Sequence, residues 1–461
     1  MSAEHVSILA LVIMFVIGTL LPINLGALAL AGAFLVGTLV AGMSEDDIVS
    51  AFPGGLFVIL VGVTYLFAIA TNNGTVDWLV RASVRAVRGR IVAIPIVMFL
   101  LAALFTAIGA PAPAVAAILA PIAFGFAAEY GINAMLIGVL VAHGTNAGAF
   151  SPISVLGGIV NGVLDKEKLP GNDLALFLGS FLFNVAAAAI AFVLFGGIAL
   201  LHRRHTRPAG TDGDEAPDGK EPAGPEPTTD PATEKAAEKA PAATATEPAG
   251  SGESGPAAGD LRLTPHQILT LAGILVLCVA ALAFDLDVGL VAITVAVVLA
   301  ITSPDAHRGA VEKIAWPTVL LIGGVVTYVG VLEEMGTIDY VGDAIAGIGA
   351  PLLAALLICY LGGVVSAFAS TVGILGALIP LAVPFLLSGE IGVAGVVAAL
   401  AISSAIVDVS PFSTTGALLV ANVRGMERDL FYRRLFQYGT AVTLIAPPAA
   451  WLVLVAPGWL G

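Results

Sequence analysis

The chain has 461 residues, of which 58% are apolar and only 11% charged, with a mean hydropathy of +1.00. Soluble domains carry about 25% charged residues, so a soluble enzyme is excluded, and the length instead allows about ten membrane spans of roughly 20 residues each. The net charge is −14, but residues 206–261 alone hold 12 acidic and 4 basic side chains; this anionic balance speaks against a nucleic-acid partner.

In chain order, the apolar runs predict spans over 6–22, 25–42 and 54–72, then an amphipathic segment over 75–88. The first run lacks a basic leader and reads as a retained span. A long stretch, 91–130, is broken at Gly109-Ala110-Pro111-Ala112-Pro113; a span interrupted at 143–151 and a last span over 173–202 follow. From 203 to 262 the sequence turns rich in Pro, Ala, Gly, Thr and Glu, a composition that reads as a disordered linker. Beyond it the pattern repeats: spans over 266–284, 288–302 and 317–333, a broken stretch 349–386, an interrupted span 392–423, and a span over 436–456. Cys278 and Cys359 sit in apolar runs as buried filler, and no disulfide or metal framework is available.

The two halves are related. Pro53, Thr64-Tyr65 and Gly74-Thr75-Val76-Asp77 recur as Pro317, Thr327-Tyr328 and Gly336-Thr337-Ile338-Asp339. Ser151-Pro152-Ile153-Ser154 with Gly157 recurs as Ser410-Pro411-Phe412-Ser413 with Gly416. The sequence thus predicts an all-α polytopic membrane protein of two repeats, 1–202 and 263–461, each with five spans, one of them broken, and a hairpin.

Basic residues orient it. With Arg81, Arg85, Arg88 and Arg90 cytoplasmic, 17 of the 19 Lys and Arg residues fall inside, leaving only Lys166 and Lys168 outside. That count requires 91–130 and 349–386 to be re-entrant hairpins. It also makes the repeats inverted, the linker cytoplasmic and both termini external.

Inverted repeats with broken helices place a transporter's site at the breaks, near the midplane. Irregular backbone is tolerated there only inside protein or facing a polar cavity. The breaks read as His143-Gly144-Thr145-Asn146 through Ser151-Pro152, and Ser403-Ser404 through Asp408, Ser410 and Pro411. Ser before Pro is a helix-start signature, so Ser151 and Ser410 are expected to open half-helices whose free N–H groups face the cavity. No Lys or Arg falls within a predicted span, so an anionic ligand would be held by helix starts, hydroxyls, amides and co-bound cations. Candidate binding residues are Thr145, Asn146, Ser151, Ser154, Ser370, Thr371, Ser410, Ser413 and Thr414. Asp408 is the only carboxylate predicted deep in the membrane; with Asn146 and Ser404 it is the candidate ion-coupling group, with sodium near Asn146 and Asp408 and no other cofactor expected. His143 reads as a neutral buried histidine. The first hairpin tip, Ala110-Pro111-Ala112-Pro113, offers only backbone. No catalytic residues are expected: no nucleophile–base pair or His-Glu-x-x-His pattern supports a membrane-embedded hydrolase.

The segment from Phe52-Pro53-Gly54 through Thr64-Tyr65 and Asn73-Gly74-Thr75-Val76-Asp77-Trp78, then His143-Gly144 and Phe150-Ser151-Pro152-Ile153-Ser154, resembles the MatC-type dicarboxylate (malonate) carriers of the ion transporter superfamily. The resemblance covers both hydrophobic halves, is most specific over 52–163, and implies an inner-membrane carrier for small dicarboxylates driven by a sodium or proton gradient. It further implies an elevator-type homodimer, and carboxylate and sodium binding by Ser-Asn-Thr triplets at hairpin tips. Ser370-Thr371 fits a shortened triplet, whereas the first tip has Ala-Pro-Ala-Pro. The alternative is an inorganic-anion permease or channel-like efflux protein on the same scaffold.

Overall fold

The computed structural model describes residues 2–21, 23–86, 90–166, 168–201, 262–284, 286–338, 340–341, 350–367, 371–387 and 391–458. Apart from Arg262, the expected linker lies outside these residues, as do Asp339 and tip residues 368–370. Among the described residues there is no strand.

The first half contains α1 (Ala3–Leu20), α2 (Leu25–Leu39), a short α3 (Glu45–Ser50), α4 (Gly54–Asn72) and the amphipathic α5 (Thr75–Ala86). It continues with α6 (Ala93–Ala107), α7 (Ala112–Tyr130), α8 (Ala134–Gly148), α9 (Val155–Lys166), α10 (Asp173–Leu194) and α11 (Gly197–Leu201). The second half contains α12 (Pro265–Phe284), α13 (Val288–Thr302), α14 (Pro304–His307), α15 (Trp316–Glu334), α16 (Pro351–Ser366) and α17 (Thr371–Leu387). It ends with α18 (Val393–Ile406), a single 3₁₀ turn over Val407–Val409, α19 (Thr414–Asn422) and α20 (Arg428–Leu454).

Among the described residues, six stretches are long and apolar enough to cross a bilayer: α4, α7, α10, α12, α15 and the run from α18 to α19. Leu182 and Leu194 on α10, and Leu275 and Leu282 on α12, are each more than 60% exposed. An apolar belt of this kind is stable only against lipid, and the fold is that of an all-α polytopic membrane protein. At the opposite extreme, every residue of α8 is buried, as is α18 from Gly395 onward. These two helices form the centre.

Lipid supplies no hydrophobic force between helices, so close backbone packing at small residues does the joining. Each half contributes one such contact to the other. α2 lies on α15, where a Cβ on Gly324 would stand 1.9 Å from the Gly26 carbonyl oxygen. α13 lies on α4, where a Cβ on Gly62 would stand 2.5 Å from the Gly289 carbonyl oxygen. The hairpin arms cross in the same reciprocal way, α7 packing on α19 and α17 on α9.

Three elements depart from the sequence expectation. The 44–50 segment forms α3 because Ser44 and Asp47 cap it reciprocally. The span expected over 173–202 divides at Gly196, whose φ of +87° no other residue adopts cheaply. The span expected from 436 starts at Arg428, because charged residues in the first two turns extend a helix into water without breaking it.

Gly324→Ala should therefore cost about 1–3 kcal/mol through overpacking, read as a lowered midpoint of thermal unfolding in detergent. Gly54→Ala, with nothing within 4 Å of the added Cβ, should leave the midpoint near wild type.

Candidate functional site

Both central helices end inside the molecule. After α8 the chain turns through 149–154 before α9 begins, and after α18 it passes through the 3₁₀ turn and 410–413 before α19 begins. The serine that caps each new helix is not the one before proline. Ser154 Oγ accepts the Gly157 N–H at 3.2 Å and Ser413 Oγ accepts the Gly416 N–H at 3.0 Å. Ser151 and Ser410 lie three residues earlier, and their hydroxyls accept the Ile153 and Phe412 N–H groups, at 3.4 and 3.3 Å.

The helix starts expected at Ser151 and Ser410 are corrected accordingly. Proline holds the preceding residue extended, but the chain makes one further turn before the helix begins. That turn folds the Ser151 and Ser410 carbonyls against the first turn of the new helix. A Cβ on Gly157 would stand 2.0 Å from the Ser151 oxygen, and one on Gly416 1.9 Å from the Ser410 oxygen. The duplicated glycine of the Ser-Pro-x-Ser-x-x-Gly pattern is a geometric requirement of this turn.

A cavity of about 100 Å³ lies where the two breaks and the two hairpin tips meet. Its walls are the starts of four helices: Ala112 and Pro113 of α7, Val155 and Leu156 of α9, Thr371 and Val372 of α17, and Thr414 of α19. Asn146, Ser154, Asp408, Thr106 and Thr318 add polar groups. Each helix start carries roughly half a positive charge, so four of them amount to about two. Asp408 is the one ionisable residue among the described residues lining the cavity.

Asp408 is fixed from behind. Its Oδ2 accepts the Thr415 hydroxyl at 2.7 Å, and its backbone carbonyl accepts the Ser413 hydroxyl at 2.6 Å. On the facing side, the buried Asn146 Nδ2 has no partner among the described residues. An amide left unpaired at such depth costs about 1–3 kcal/mol, a cost that an acceptor arriving in the cavity would offset. Thr371 Oγ1 sits 2.8 Å from Ser366 Oγ and 3.3 Å from the Ser404 carbonyl, which ties the second tip to the break of α18.

Of the candidates named from sequence, the structure brings Asn146, Ser154, Thr371, Asp408 and Thr414 to the cavity. Thr145 turns its hydroxyl back to the Ala142 carbonyl, and Ser413 uses its own for capping. Ser151 and Ser410 stand behind the wall. Ser404 is buried beside Gly362 with its hydroxyl unpartnered among the described residues, and Ser370 lies outside the described residues. Thr106, Thr318 and Thr415 were not legible as site residues. Thr318 directly follows the duplicated Pro317, which was the one usable signal. His143 is fully partnered, with Nδ1 2.9 Å from Asn184 Oδ1 and Nε2 2.7 Å from Tyr438 Oη. It serves as a buried link between α8, α10 and α20.

Residues 1–149 match the family model described as the dicarboxylate carrier protein MatC N-terminus. This similarity covers about a third of the chain. No curated protein matches the chain. The long apolar helices make it a multi-pass membrane protein.

The capping geometry gives a contrast that spacing alone would not. Ser413→Ala and Ser154→Ala should each lower stability by about 1 kcal/mol, the ordinary value of a lost N-cap. Ser410→Ala should cost less than half as much, with thermal unfolding in detergent as the measure.

Proposed function

We propose that the chain is a secondary active transporter that moves small dicarboxylates, malonate-like or four-carbon, across the inner membrane in exchange for the energy of a sodium or proton gradient. The observation that carries this reading is the convergence of four helix starts on one cavity that also holds Asp408 and the unpaired Asn146 amide. A dicarboxylate brings about two negative charges, which the helix starts alone would balance. An ionised Asp408 adds a third. The site therefore binds the anion well only once a cation has joined Asp408, either sodium beside Asn146 or a proton on the carboxyl. Differential affinity of this kind is what coupling requires.

The repeats are read as inverted, with a cytoplasmic 203–262 linker and external termini. Two contacts support that reading. Lys166 pairs with Glu333 at 2.9 Å, joining two ends assigned to the outside. Lys313 bonds to Asn72, joining two ends assigned to the inside. The hairpins and broken spans would form the moving unit of an elevator. The pairs α2–α15 and α13–α4 would form a scaffold that dimerises, by analogy with the family resemblance.

Uptake of labelled malonate, succinate and citrate into proteoliposomes, under separate sodium and proton gradients, tests this. Saturable, gradient-driven uptake of a dicarboxylate supports it; ungated passage of inorganic anions supports the permease alternative. Asp408→Asn should weaken the dependence on the driving ion more than it lowers the amount of folded protein. Thr371→Ala and Asn146→Ala should raise the concentration for half-maximal uptake by roughly 10- to 150-fold, the loss of one hydrogen bond to a charged ligand. Unchanged ion dependence in Asp408→Asn would make that residue a structural cap.

A further inference from the structure

A second cavity, about 230 Å³, adjoins the first. Ala110 and Pro111 of the first hairpin tip line both. From there the second cavity runs between α7 and the latter half of α4, along Thr64, Phe67 and Thr71, to Lys313 and Ala315 in the segment before α15. Among the described residues lining it, Lys313 is the one charged group. Asn72 positions that ammonium through its side-chain oxygen, while Asn72 Nδ2 donates to the Ala306 and Arg308 carbonyls. The other charges of the loop lie off the cavity: Asp305 faces Arg308 at 3.8 Å, and Glu312 is exposed.

The arrangement is one-sided. The binding cavity touches Thr318, just after Pro317, yet none of residues 53–56, which hold the equivalent place in the first half. A duplicated protein caught with its two ends in one conformation would show both or neither.

We propose that the second cavity is the path by which a small carboxylate anion passes between the binding cavity and the Lys313 face, with Lys313 as its anion-attracting group and the Ala110–Pro111 tip as the wall between them. This rests on the dicarboxylate reading for the identity of the anion. It gives the Ala-Pro-Ala-Pro tip a role that needs no polar side chain: a compact apolar partition, pinned where Gly109 takes φ +108°. One cation over a passage whose other described lining residues are uncharged raises the local anion concentration without holding the anion tightly.

The test uses the full chain with Cys278 and Cys359 replaced by Ser and one probe, Ala117→Cys, an exposed α7 residue lining the second cavity. Its rate of modification by an anionic methanethiosulfonate is compared with that of a cationic one. The anionic-to-cationic ratio should fall roughly threefold to tenfold in Lys313→Gln and further in Lys313→Glu, and hold in Lys313→Arg, as expected for one charge near the passage. Malonate at millimolar concentration should slow the anionic reagent. Should the Gln variant yield little folded protein, the Lys313 protein suffices: added salt should slow the anionic reagent and not the cationic one. A ratio indifferent to residue 313 and to salt, or a residue 117 that never reacts, overturns the proposal. Charge-dependent labelling without dicarboxylate uptake would instead leave the path standing and overturn the substrate assignment.

Discussion

Inside a bilayer every backbone N–H and C=O must find a partner within the protein, and helix starts in the interior are the exception that this chain has to accommodate. Four helices begin where none would begin in an uninterrupted span, and all four starts line one cavity. The rest of the architecture supports that exception. α8 is buried throughout and α18 from Gly395 onward, which shields their broken ends from lipid, and the hairpin arms pack across the halves, α7 on α19 and α17 on α9.

Holding the breaks in place falls to glycine and serine, not to charge. The Ser151 and Ser410 carbonyls occupy the space a side chain would need at Gly157 and Gly416, and Ser154 and Ser413 close the caps above them. The same economy joins the halves at Gly26, Gly324, Gly62 and Gly289, where backbones touch. Dispersion at such contacts replaces the hydrophobic force that lipid cannot supply. Fixed cations are kept at the ends of the helices, at Lys166 and Lys313, and the cavity itself is left with a single carboxylate.

That distribution of charge suits a carrier better than a trap. A buried Lys or Arg would hold a dicarboxylate through every step of a cycle. Helix ends supply a comparable field without a fixed cation, and an ionised Asp408 would offset part of that field. The second cavity extends the same logic outward, with Lys313 at the far end of a passage whose other described lining residues are uncharged.

The sequence by itself determined the membrane class, the broken stretches and the burial of Asp408. These follow from composition, from period and from residues such as proline and glycine, whose backbone limits are local. Asn146, Ser154, Thr371 and Thr414 were legible for the same reason, because they flank those breaks. Which serine caps each half-helix was not legible: Ser-Pro satisfies the local rule at Ser151 and Ser410, and only the extra turn packed on Gly157 and Gly416 transfers the role to Ser154 and Ser413. Thr106, Thr318 and Thr415 enter the site, and Thr145 leaves it, because crossing arms and helix rotation decide which hydroxyls face a cavity. Those are properties of contacts far apart in the chain, and the tertiary structure alone decides them.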